Sequence, residues 1–148
     1  MRRAGLAVLL FALACGGGTD ELNPAFAKTW NAATTVNMPG ISPLTYGSEP
    51  SVTVSGNTGT VNDFCPNGGQ SVRTTGSGNS ASWSDSMACA PILLPGQNCN
   101  ITLTFTSGSL TLSLDGQALT GTGTGTVTGC NMSTVTFSMT LSAVPKRP

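Results

Sequence analysis

The chain has 148 residues, six basic and six acidic side chains, five cysteines and no histidine. Without histidine, Ser-His-Asp and Cys-His catalysis are excluded. A formal net charge of zero gives no electrostatic reason to seek nucleic acid, and the length fits a single domain.

The N-terminus reads MRRAGLAVLLFALAC. Arg2 and Arg3 precede an uncharged apolar run, Ala4 to Ala14, about half the ~20 residues that span a bilayer. Residues 1–14 therefore predict a signal-peptide helix rather than a membrane anchor. The ending Ala12-Leu13-Ala14-Cys15 resembles the lipobox of bacterial lipoproteins, with Ala12 where Leu is usual. The resemblance implies cleavage before Cys15 and lipidation of its thiol and amine with palmitate-type chains. Several chains together anchor firmly where one is marginal. It also implies the outer membrane of a Gram-negative envelope, because Gly16 is not the Asp that signals inner-membrane retention. Ala12-x-Ala14 is equally an ordinary signal-peptidase site cutting at the same bond. Plain secretion would leave an odd cysteine, whereas lipidation leaves four that can pair. Gly16-Gly17-Gly18 then begins a flexible linker, so that residues 15–27 are lipidated cysteine and tether and 28–148 a single β-domain.

The mature chain carries Lys28, Arg73, Lys146 and Arg147 against Asp20, Glu21, Glu49, Asp63, Asp85 and Asp115. Leu, Ile, Val and Phe make up only 25 of the 133 residues in 16–148, while Thr, Ser and Gly make up 56. Disorder of that composition normally carries high net charge, absent here. Regular alternation and four cysteines favour a small folded β-domain.

Strand-like alternation begins at Lys28, with Trp30, Ala32, Thr34, Val36 and Met38 on one face. Pro39, Gly40, Pro43, Gly47 and Pro50 mark 39–50 as a loop. Ser51–Ser55 and Thr60–Phe64 form a hairpin around 56–59. Gln70–Thr75 and Ser80–Asp85 form a second, around Gly76-Ser77-Gly78. Residues 86–98, with Pro91, Pro95 and Gly96, read as a loop. Asp115-Gly116 predicts a two-residue hairpin in which Leu114 faces Gln117, Leu112 faces Leu119 and Leu110 faces Gly121. Ile101, Leu103 and Phe105 are odd-numbered while Leu110, Leu112 and Leu114 are even, and a period-2 face cannot change parity without an extra residue. One β-bulge near Gly108 supplies it and sets Phe105 against Gly125 and Leu103 against Val127. A tight hairpin at 107–109 is the competing reading. In the last strand, 133–143, Val135, Phe137, Met139 and Leu141 face inward.

Eight antiparallel strands predict an all-β fold, an eight-stranded up-and-down barrel. Leu94 to Phe105 resembles the L-x-P-G-x-x-C-x-I-x-V-x-F pattern of bacterial immunoglobulin-like modules, which implies a β-sandwich as the alternative. Trp30 at the first strand is loosely similar to lipocalins, although Lys28 stands where their Gly would be; the outline implies a ligand cavity. A core Trp closing one barrel end is the plainer account.

Cys65, Cys89, Cys99 and Cys130 show no CxxC spacing, so a metal site is not expected. The bulged hairpin brings residue 100 opposite 130, which predicts Cys99–Cys130 and, by elimination, Cys65–Cys89. Gly129 must then bend the strand, because the two cysteines start on opposite faces. Asp63 and Asp85 are the only carboxylates that could form a catalytic pair; Trp83, Arg73 and Tyr46 could line a mouth. The 121–126 GTGTGT run alternates as a strand and is no phosphate cradle. The expectation is a non-catalytic envelope protein, structural or partner-binding, without cofactor or nucleic acid. A small apolar ligand carrier is the alternative, and a hydrolase using the two aspartates ranks last.

Overall fold

The computed structural model describes residues 20–94 and 96–147. The fold is all-β: β1 Trp30–Asn37, β2 Leu44–Ser48, β3 Ser51–Ser55, β4 Thr58–Asn62, β5 Val72–Ser77, β6 Ser80–Trp83, β7 Met87–Ala88, β8 Ile92–Leu93, β9 Asn100–Leu112, β10 Leu119–Gly129 and β11 Met132–Pro145. They form one antiparallel sheet in the order β2-β1-β11-β10-β9-β6-β5-β4-β3, with β7 and β8 also paired to β9. Neighbours in the sheet are neighbours in sequence except where β9 meets β6 and where β1 meets β11, the latter from Trp30↔Pro145 to Asn37↔Ser138. That pairing curls the sheet into a half-barrel. The alternative of two stacked sheets does not form, because every strand belongs to the same hydrogen-bonded sheet.

The parity switch is resolved as a bulge. Leu112 faces Leu119 and Leu110 faces Gly121, then Phe105 faces Gly125 and Leu103 faces Val127, with the register shift between Thr124 and Gly125. The extra residue is Thr106, two positions before Gly108. Gly108 is small for another reason: a Cβ there would run into the Trp83 ring. The Asp115-Gly116 turn is wider than expected. The Gly116 amide donates to the Ser113 carbonyl at 2.9 Å, pairing stops at Ser113 and Ala118, and Leu114 moves from the predicted core to the turn tip, 99% exposed.

Two segments read as loops contain strands. Residues 39–50 include β2, because Pro43 and Pro50 flank it rather than interrupt it, and proline is tolerated at strand ends. Residues 86–98 include β7 and β8, which continue along β9 through Met87↔Phe105 and Ile92↔Ile101. Buried Met87, Cys89 and Leu94 hold this irregular stretch down. The first hairpin is tighter than expected, with Gly56 and Asn57 alone between Ser55↔Thr58.

The inner face holds one core. Trp30, Phe105, Met87, Ile101, Leu103 and Val36 are fully buried. Phe105 packs edge-on against Phe64 at 5.2 Å and against Phe137 at 5.1 Å. The segment expected to be flexible linker is docked from Leu22 onward. Leu22 and Phe26 are buried, and a 3-10 turn spans Pro24–Phe26 with the Asn23 carboxamide oxygen accepting from the Ala25 amide. Apolar side chains at 22 and 26, i and i+4, outweigh the polar look of the segment. They close one end of the sheet, where the Trp30 indole donates to the Phe26 carbonyl at 3.1 Å.

Candidate functional site

Cys15, the residue expected to be lipidated, lies outside the described residues. The remaining four cysteines form the two expected disulfides, Cys65–Cys89 and Cys99–Cys130, with Cα–Cα separations of 5.5 and 5.3 Å. The parity problem at Cys130 is solved by backbone: Gly129 has φ +118°, and Cys130 and Asn131 follow at +52° and +57°. A Cβ at Gly129 would also collide with the Asn100 carbonyl, so this position needs glycine twice over. Gly69 bridges to Cys89, and a Cβ there would sit 2.8 Å from the Cys65 sulfur.

Both disulfides clamp the end of the sheet opposite Leu22 and Phe26. There the β1–β2 connection and the turn before Cys99 border a half-open cleft of about 310 Å³, lined by Ile41, Leu44 and Leu94 with Ser42 and Gln97. Two apolar walls and a carboxamide can hold a small side chain or ligand group. They contain no acid–base pair.

The other expected candidates divide between surface and core. Asp63 and Asp85 are both exposed. Arg73 points outward on β5, whereas Trp83 points into the core and is 6% exposed. Trp30 is wholly buried with Lys28 Nζ 5.0 Å from its ring centroid, a core position at the closed end. Among the described residues no cluster of three His, Cys, Asp or Glu side chains is placed to hold a metal.

Two features escaped the sequence reading. The first is inside. Thr34 faces Tyr46 across β1 and β2, and Ser48 lies two residues further along β2. Thr34 Oγ1, Tyr46 Oη and Ser48 Oγ are buried without hydrogen-bond partners. Burial pushes the Tyr46 phenol well above its ordinary value. The second is outside. One cross-strand row runs Thr45, Thr35, Thr140, Thr122, Ser109, Ser82, Thr75, Thr58 and Ser55, hydroxyl at every position. Direct hydroxyl contacts include Thr35–Thr45 at 3.0 Å and Ser109–Thr122 at 3.2 Å. Arg73 is the one charged residue within the strands. The alternation of threonine was plain in the sequence, but the alignment of rows across strands depends on register.

No protein-family model matches the chain, and no curated protein matches it.

Proposed function

We propose that this is an exported lipoprotein of the bacterial outer membrane, anchored through acylated Cys15, whose β-domain is a non-catalytic structural or partner-binding module. The observation that supports it best is the pairing of the cysteines. Cys65, Cys89, Cys99 and Cys130 are consumed in two disulfides, which belong to an oxidising compartment, and Cys15 is left as the odd thiol. An odd thiol behind an apolar run is accounted for by acylation. The same proposal treats the half-barrel as an eight-stranded up-and-down barrel. Thr29 bridges to Ser51, the Trp30 amide donates to the Pro50 carbonyl at 2.9 Å and the Val52 amide to the Lys28 carbonyl at 3.0 Å. β2 and β3 then count as one strand kinked at Pro50, and β6, β7 and β8 as one strand following β9.

The packed inner face supports a binder over a carrier. Trp30, Phe105, Met87 and Met139 fill the space that an apolar ligand would need. Partner contacts are then assigned to the disulfide-clamped end, where the cleft beside Leu94 lies. Mass spectrometry of the mature protein from its own membrane tests the anchor: Cys15 must carry a diacylglyceryl thioether and a blocked amine. A free amine and thiol would end the lipoprotein reading. Native mass spectrometry tests the module: a co-purified protein supports it, and a stoichiometric small apolar molecule turns the assignment to the carrier.

A further inference from the structure

Resting on the anchor reading above, we propose that the end of the domain closed by Leu22 and Phe26 sits on the lipid surface, with Leu114 dipping into the boundary between headgroups and acyl chains. Tether length limits the geometry first. Four residues lie between Cys15 and Asp20, so the five steps reach at most ~18 Å when fully extended. Leu22 is pinned to the domain by its backbone amide, which donates to the Gly56 carbonyl at 2.9 Å, and by its burial. The end that carries Leu22 is therefore the end held near the membrane.

That end also carries the apolar exposure. The large hydrophobic side chains exposed among the described residues are Leu93, Leu114 and Val144, and the last two lie here. Leu114 tips the β9–β10 hairpin. The hairpin is fixed to the closing segment by Lys28 Nζ donating to the Gly116 carbonyl at 3.1 Å. Val144 faces outward next to the Trp30↔Pro145 pair, at 56% exposure. The wall is unsuited to lipid, because its outward positions are rows of hydroxyls rather than an apolar band.

Charge does not drive the contact. Lys28, Lys146 and Arg147 lie at this end with Asp20, Glu21, Glu49 and Asp115, and Lys146 is paired to Glu49 at 2.6 Å. The Asp115 carboxylate is tied back by the Ser113 hydroxyl and the Gln117 amide. Docking is thus apolar, indifferent to salt and to anionic lipid. It turns the clamped end, with its cleft, toward solvent.

The test uses the intact lipoprotein in phosphatidylcholine vesicles. L114C and Q97C variants each carry an environment-sensitive fluorophore, and quenchers are placed on lipid acyl chains. The probe at 114 is expected to be blue-shifted and quenched at least three-fold more strongly than the probe at 97, unchanged on adding 0.5 M salt, which shortens the Debye length to about 4 Å. Hydrogen exchange of the unsubstituted hairpin 113–118 is a second readout, and vesicles should slow it several-fold relative to the C15S protein in solution. Equal quenching at the two ends in an acylated protein overturns the docking and leaves the anchor standing. Absence of acylation on Cys15 overturns both. Protection of the hairpin in native envelopes but not in pure vesicles assigns this end to a protein partner and also overturns the proposal.

Discussion

Replacing Gly125 with Ala tests the packing that sets the shape of the sheet. Gly125 lies on β10 between Phe105 on β9 and Phe137 on β11, whose rings meet edge-on at 5.1 Å. A Cβ there would collide with the Thr104 carbonyl and the Phe137 ring. The carbonyl is held in the sheet and cannot yield, so the phenylalanines must separate. Overpacking of this kind costs about 1–3 kcal/mol. Loss of glycine's unfolded-state freedom offsets roughly 0.4–1 kcal/mol. The net expectation is a loss of about 1.3 kcal/mol, near 5 °C in Tm for a domain of this size. Gly47 is the control, since a Cβ there meets nothing closer than the Ala32 carbonyl at 3.8 Å. Gly47→Ala should be neutral or stabilising by up to about 1 kcal/mol. Phe137→Leu should lessen the penalty of Gly125→Ala, a favourable coupling in a double-mutant cycle read by urea unfolding. If Gly125→Ala is as stable as Gly47→Ala, the large-against-small account of the GTGTGT run is wrong.

The chain's one tyrosine offers an optical test. Burial holds the Tyr46 phenol above its ordinary value, so the native protein should show no phenolate absorbance at 295 nm near pH 10, and denaturant should release it. Because the folded pKa is raised, stability is intact below the ordinary pKa and falls as pH climbs past it; Tyr46→Phe should abolish that alkaline loss, as followed by urea midpoints. Thr34→Val removes a buried hydroxyl that has no partner, and its chemical-denaturation midpoint should stay within about 1 kcal/mol of the parent or rise, whereas a loss above 2 kcal/mol would mean that the hydroxyl is bonded. The paired Cys99→Ser, Cys130→Ser variant releases a loop of 31-residue separation and should lose about 3.5 kcal/mol in the same assay. Cys15→Ser should shift the protein from the detergent phase to the soluble fraction in partitioning; retention in the detergent phase would contradict the anchor.

Strict alternation made much of the fold legible. β1, β10 and β11 follow a period of two over eight or more residues and β9 does so on each side of its bulge, and their large inward side chains are buried from Trp30 to Leu141 apart from half-buried Val135. Parity alone then located an extra residue between Phe105 and Leu110 and set Cys99 beside Cys130. Parity could not choose between Gly108 and Thr106, because glycine suits both a bulge and a close neighbour, and here the neighbour is Trp83. Prolines misled where they flank strands, as Pro43 and Pro50 do around β2. Leu114 misled because a hydrophobic pattern does not announce where pairing stops; the Ser113 carbonyl accepting from Gly116 ends it one residue earlier. The cleft and the unpaired hydroxyls of Thr34, Tyr46 and Ser48 were beyond reach, since each depends on segments distant in sequence.

The distribution of charge explains why so plain a wall is workable. Apart from Arg73, every charged residue from Asp20 to Arg147 lies in a turn, a connection or a terminal segment. Residues 15–148 carry a net charge of only −2, four basic against six acidic side chains, and with an uncharged wall there is little repulsion to keep copies apart. Hydroxyl rows meet that need differently, by holding water, and they spare the thin core from long charged side chains that would lose rotamer freedom along crowded strands. The same choice strips the wall of electrostatic specificity. For the proposed binding module this leaves recognition to the ends, where the backbone leaves the ladder and the disulfides fix loop shape. Under the proposed anchoring, a domain held at the end of Leu22 and Phe26 would have only the clamped end free to meet a partner, and Ile41, Leu44, Leu94 and Gln97 are the positions where substitutions should separate binding from stability.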